Sequence, residues 1–161
     1  MANPKMDDGE RVFLVVVDES EEMRVALRYA SLRAKAVGGK VALLYVIEPS
    51  DFLQWMAVEN LARAERREEA ETLLNDLSVE VNKWAGSVPI LHVREGSRRE
   101  ELFNLIDENP DISILVLAAS TSPTGPGPLI SALTTRFVNK LKIPVTIVPG
   151  GLTDQELEKL A

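Results

Sequence analysis

The sequence predicts an α/β protein: an open parallel sheet of five strands with helices on both faces. Two observations carry this. Five short runs are apolar at consecutive positions rather than at alternate ones, as strands buried on both faces of a parallel sheet must be. Between them lie stretches with apolar residues at helical spacing, giving the order β-α-β-α-β-α-β-α-β. The length, 161 residues, fits one domain at about 100–200 residues each, so residues 1–161 read as a single unit. Residues 1–10 and 150–161 read as peripheral tails.

The first strand is Val12 to Val17, closed by Asp18. Ser20 follows as a helix N-cap, with Glu21 and Glu22 suited to the positive end of the helix dipole. Met23, Ala26, Leu27, Ala30, Ala34 and Val37 then repeat on one face until Gly38-Gly39 stops the helix. Val41 to Ile47 forms the second strand, ended by Glu48-Pro49. A long helix carries Ala70, Leu73, Leu74, Leu77, Val81 and Trp84 on one face and ends at Gly86. Val88 to Val93 is the third strand, followed by a turn at Gly96-Ser97 and a short helix marked by Leu102, Leu105 and Ile106.

Asn109-Pro110-Asp111 breaks the chain before the fourth strand, Ile112 to Ala118. Ser120 to Pro128 is a loop of Ser, Thr, Gly and Pro. Pro128 suits the first turn of a helix whose apolar face is Leu129, Leu133, Phe137 and Leu141. The last strand runs from Ile143 to Val148, with Pro144 near its start, where a missing N–H matters least. Thr153 to Glu156 has the form of a capping box and predicts a short C-terminal helix.

Composition narrows the function. Hydrophobic residues make up 45%, enough for a core, which excludes disorder of the whole chain. Lys and Arg number 18 against 25 Asp and Glu, a net charge of −7 that argues against non-specific nucleic-acid binding. The chain has no cysteine, hence no disulfide, thiol nucleophile or thiolate metal site. Apolar runs such as 12–17 and 114–119 are far short of the ~20 residues of a membrane helix, and its first residues lack the apolar core of a secretory signal. A cytoplasmic protein that engages neither nucleic acid nor membrane is expected.

In open α/β sheets ligands bind beyond the carboxyl ends of the strands, where the strand order reverses. That rule singles out Asp18, Val46 to Pro49, Arg94 to Ser97 and Ala118 to Pro128. Two readings of Asp18 stand: it accepts hydrogen bonds from a ribose or holds magnesium, or it caps the following turn through Ser20. His92 is the only histidine and reads as a partly buried strand residue, which removes Ser-His and multi-His sites. Arg98-Arg99 reads as a solvated pair balanced by Glu100 and Glu101, or as a phosphate contact. Arg63 to Glu71 reads as an exposed charged face. Phe52 to Met56, with Trp55, is an apolar patch packed on its own sheet edge, or a lid or partner surface. No Ser-His nucleophile elbow or Walker loop is present, so no catalytic residue is assigned.

Several passages, in order and spacing, resemble the universal stress protein family over about Arg11 to Pro149. They are Phe13 to Ser20 before a helix, Val41 to Pro49, Val93 to Gly96, Ile114 to Ala118 and Ile143 to Pro149. The resemblance implies a Rossmann-like sheet in the order 3-2-1-4-5 and a dimer through the last strand, Val145, Thr146, Ile147 and Val148. Family members that bind ATP carry Gly-x2-Gly-x9-Gly-Ser/Thr after the fourth strand, where glycines let backbone amides approach phosphates. Counted back from Ile143-Pro144-Val145, those positions fall here on Ala118, Thr121, Ser131 and Ala132. All three glycines and the final hydroxyl are replaced. Gly125 and Gly127 are out of register, and Pro123, Pro126 and Pro128 remove three amides. Asp18 and Val46 match the family's ribose-side aspartate and adenine-side valine.

The expectation is therefore a non-catalytic, dimeric stress protein that acts through an unidentified protein partner and needs no cofactor. The alternative is an adenine-nucleotide switch, with ATP and magnesium at Asp18, Val46 and the 118–128 loop and at most weak hydrolysis.

Overall fold

A computed structural model describes residues 10–49 and 56–161, with residues 56–60 described by their backbone alone. Trp55 and the Phe52 to Met56 patch lie outside the described side chains, as do residues 1–9. The elements run β1 (Val12–Val16), α1 (Met23–Val37), β2 (Lys40–Ile47), α2 (Met56–Ala85), β3 (Ile90–Glu95) and α3 (Arg98–Glu108). Then come β4 (Ile112–Ala119), α4 (Pro128–Thr134), a 3-10 turn (Val138–Lys140), β5 (Val145–Pro149) and α5 (Asp154–Leu160). The sheet is parallel throughout, in the order β3-β2-β1-β4-β5.

Side chains alternate across each strand, and each face of the sheet acquires its own core. Phe13, Val15, Val41, Leu43 and Val116 meet α1 and α2 through Ala26, Leu27, Ala30, Leu74, Leu77 and Val81. Leu14, Val16, Ala42, Leu44, Leu115 and Leu117 meet α3 and α4 through Leu102, Leu105, Ile130 and Leu133. The chain thus crosses from one face to the other between β3 and β4. β1 and β4 lie side by side with their connections running in opposite directions, which opens a crevice beyond their carboxyl ends.

Several expectations are corrected. Of the inner strands β1 is buried throughout and β2 and β4 in large part; β3 and β5 are edges, with Ile90 42% and Ile147 40% exposed. β3 starts at Ile90 rather than Val88, because Pro89 has no N–H for the ladder and Ile90 is the first partner, opposite Ala42. Likewise Ile143 and Pro144 precede β5, although the Pro144 carbonyl already accepts the Leu115 N–H at 3.0 Å. Ser20 is not the N-cap of α1, since the helix begins at Met23 behind Glu22, which makes no side-chain cap bond.

The helix expected to carry Phe137 and Leu141 ends at Thr134. The Thr134 and Thr135 hydroxyls donate to the carbonyls of Ile130 and Ser131 at 2.7 and 2.6 Å, and the Phe137 N–H turns back to Ala132. Gly38 and Gly86 do end α1 and α2 with positive φ, 69° and 80°. The C-terminal segment is more than a tail. Thr153 and Glu156 complete the capping box, and α5 sets Leu157, 1% exposed, into the core shared with α1.

Candidate functional site

A cleft of about 660 Å³ lies over the carboxyl ends of β1, β2 and β4. Its floor is apolar, made of Val16, Val46, Val116 and Ala26 with Tyr45 beside them. The strand ends supply this floor because a buried parallel strand keeps its apolar side chains up to its last residue. The rim is charged: Asp18, Glu19, Glu22, Glu48 and Glu69 face Arg66 and Arg98. A rim with that acidic majority repels a polyanion unless cations accompany it.

Asp18, Val46 and Ala118 converge on this cleft as the sequence predicts. Thr121, Ser131 and Ala132, the other three positions of the motif, do not line it; the loop reaches the cleft through Pro126, Gly127 and Pro128 instead. Asp18 caps its own turn: its Oδ1 accepts the Ser20 N–H at 2.8 Å and the Ser20 hydroxyl. Its second oxygen makes no side-chain hydrogen bond among the described residues.

The loop after β4 satisfies its own backbone. The Ser120 N–H donates to the Pro126 carbonyl at 2.9 Å and the Gly125 N–H to the Ser122 carbonyl at 3.2 Å. The Ser122 N–H donates to the Ser120 hydroxyl oxygen at 3.1 Å, and the Thr124 N–H to that of Ser122 at 3.3 Å. Pro123, Pro126 and Pro128 have no N–H to give. Of the nine residues from Ser120 to Pro128, only Thr121 and Gly127 thus keep an amide outside these bonds. Three of its four hydroxyls, those of Ser120, Ser122 and Thr124, take part in bonds inside the loop.

Arg66 and Glu69 are cleft residues that sequence reasoning placed on a solvated face. The signal was present, because Arg66, Ala70, Leu73 and Leu77 repeat at helical spacing and share one stripe of α2. Arg98 and Arg99 separate rather than forming a pair with their neighbours. Arg98 Nη2 lies 3.7 Å from Glu48 Oε1 across the cleft rim, and the Arg99 guanidinium sits 4.0 Å over the Phe137 ring. Glu101 turns instead to Arg94, which also binds Glu108. Among the described residues no group of three or more His, Asp or Glu side chains is arranged to hold a metal ion. Nor is any described helix long and apolar enough to cross a membrane.

The positions expected at a dimer interface, Val145 to Val148, fall on the sheet edge. Val145 and Thr146 are half-buried and Ile147 is exposed, whereas the Val148 side chain, 3% exposed, belongs to the core.

No curated protein matches the sequence. Among solved structures, the chain is similar to the universal stress protein UspA from Lactobacillus plantarum, with 17% identity over 86% of this chain and 97% of that one, at a TM-score of 0.71. It is also similar to a universal stress protein from Archaeoglobus fulgidus in complex with dAMP, with 18% identity, 86% and 97% coverage and a TM-score of 0.59. A universal stress protein in complex with cAMP gives 18% identity, 89% and 99% coverage and a TM-score of 0.57. Residues 10–149 match the family model described as the universal stress protein family. With that match spanning all five strands and the crevice at their ends, the chain belongs to the universal stress protein family.

Proposed function

We propose that this chain is a non-catalytic universal stress protein of the cytoplasm that works as a homodimer, through protein partners and not by holding ATP. The observation that carries the reading is the loop after β4, whose amides and hydroxyls bond to one another and whose three prolines donate nothing. A triphosphate needs several converging N–H donors, and this loop has two uncommitted ones. The acidic majority on the rim works in the same direction. The bare edge of β5 supports the homodimer, since pairing two such edges across a two-fold axis satisfies backbone groups that otherwise face solvent. Native mass spectrometry of the purified protein, followed by calorimetry with ATP and magnesium, tests this. The expected result is a ligand-free dimer and no binding heat; a retained adenine nucleotide or a clear ATP isotherm overturns it.

A second reading, an adenine-nucleotide switch with weak or no ATPase activity, is favoured by one observation. Asp18, Val46 and Ala118 line the same cleft, and two similar proteins were solved with cAMP and dAMP, ligands with a single phosphate. On this reading Asp18→Ala weakens binding of those ligands with the fold intact. Calorimetry with cAMP and dAMP that gives no heat removes it.

A further inference from the structure

The cations of the cleft are not where the phosphate loop is. Arg98, at the start of α3, and Arg66, on α2, stand at the rim above the ends of β2 and β3, across the floor from residues 120–128. A smaller chamber of about 230 Å³ opens beside this rim, shares Ile47 and Arg66 with the main cleft and adds Arg63. Asp18, Glu19 and Glu22 lie at the β1 side, while Glu48, Glu69 and Glu95 stand among the arginines. The arginines that line the two cavities thus all lie at the β2–β3 end, Arg63 and Arg98 each within reach of a carboxylate that an incoming anion has to displace.

Arg98 is also incompletely satisfied. Its Nε is buried and has no hydrogen-bond acceptor among the described residues. Among the described residues its ion pair is to Glu48 and spans 3.7 Å, against about 2.7–2.9 Å for a charge-assisted hydrogen bond. Glu48 is itself half in solvent, with its side chain 54% exposed. Arg63 pairs with Glu95 at a similarly loose 3.4 Å. A guanidinium with a free Nε–H and a displaceable carboxylate partner is suited to a planar, two-oxygen acceptor.

We propose that the cleft takes a small oxyanion-bearing molecule with its anionic group on Arg98 and Arg66, at the β2–β3 rim, and its apolar body over Val46 and Tyr45. Glu48 occupies part of this position in the absence of ligand, as an internal stand-in for the incoming carboxylate or phosphate. The Arg98 fork then exchanges one long contact for two short ones, and its Nε gains an acceptor. This inference rests neither on the dimer nor on the loss of ATP binding.

The test is a titration of the full chain, isotopically labelled with nitrogen-15, with phenyl phosphate and with benzoate, followed by two-dimensional NMR of backbone amides and arginine Nε–H groups. The Arg98 Nε–H and the amides of residues 96–99 are expected to shift and saturate, with residues 121–127 unmoved. Saturation by either probe supports the site, and the tighter of the two identifies its oxyanion as phosphate or carboxylate. Arg98→Gln should weaken binding about tenfold or more, the scale of one hydrogen bond to a charged group. Glu48→Gln should tighten it several-fold by removing the internal competitor. Shifts confined to residues 120–128, no saturable shift, or an unchanged dissociation constant in Arg98→Gln overturns the proposal. Should Arg98→Gln fail to fold, Glu48→Gln decides alone, and an unchanged or weaker affinity there is equally fatal.

Discussion

The hydroxyl oxygens of Ser122 and Thr124 lie 2.8 Å apart, and the same Ser122 oxygen accepts the Thr124 N–H at 3.3 Å. This double contact closes the loop on itself one residue to each side of Pro123. It explains why restoring the ATP motif by sequence alone should fail. The combined replacement Ala118→Gly, Thr121→Gly, Ser131→Gly and Ala132→Ser leaves the Ser122–Thr124 bond and all three prolines in place. Three of its four positions do not face the cleft. Calorimetry with ATP and magnesium is expected to show no gain over wild type; micromolar binding would mean that the loop rearranges freely.

The two faces of β5 should separate assembly from folding. Val145→Glu places a charge on a half-buried edge position and is expected to give a folded monomer by light scattering. Val148→Glu buries the same charge in the core and should abolish folding by circular dichroism, because an unpaired buried carboxylate costs several kcal/mol. A dimer unchanged by Val145→Glu would place the interface elsewhere.

α5 is held both by charge and by packing. Arg28 on α1 reaches Asp154 and Glu158 at 2.9 Å each and lies 5.1 Å from the Trp84 ring centroid, so one guanidinium joins α1, α2 and α5. Both carboxylates are largely exposed, which limits their contribution. Arg28→Met should cost about 1–2 kcal/mol in urea unfolding. Leu157→Ala, which removes a fully buried side chain from the same helix, should cost about 2–5 kcal/mol. The reverse order would show that charge rather than packing holds the C-terminus.

His92 gives the molecule a pH dependence near neutrality. Burial first, and the Arg94 charge second, hold its pKa below 6.5. The folded imidazole therefore resists a proton that the unfolded chain accepts. Its contribution is complete above 6.5 and is lost as the pH falls below that value toward the lower folded pKa. The cavity it lines also contains Glu10, Lys40 and Asp111. His92→Gln should flatten the change in urea midpoint between about pH 7.5 and about pH 5.5. Glu108 acts lower on the scale. Its hydrogen bond to Arg94 depresses its pKa, so that contribution is present above 4.5 and disappears on further acidification.

The strands and their buried faces were legible because apolar runs such as Val12 to Val16 and Val41 to Ile47 leave no other way to hide their side chains. Element ends were harder to read. Thr134 and Thr135 look like ordinary helix positions, and the sequence carries no sign that α4 ends there and that the Phe137 N–H turns back to Ala132. Asp18 and Val46 line the cleft at the strand ends, where the end-of-strand rule puts a ligand. Arg66 was hidden in a run of mixed charge, and the partner of Arg98 was unreadable because Glu48 lies far away in sequence and meets it only through the β2–β3 pairing. The self-bonding of residues 120–128 depends on loop closure, which composition does not encode.

The pairing of β1 has a kinetic consequence. The Val12 N–H reaches the Ser113 hydroxyl 101 residues away, and β1 takes β4 as a neighbour in the middle of the sheet. While the chain emerges from a ribosome, β1 to β3 can assemble with α1 and α2, but one side of β1 stays unzipped until β4 is made. Nascent chains stalled before Ile112 should thus display an open, aggregation-prone strand and bind chaperones, whereas chains released past Pro149 should not. Closing so long a loop before any of its contacts form slows the search, which places this protein among the slower folders of its size.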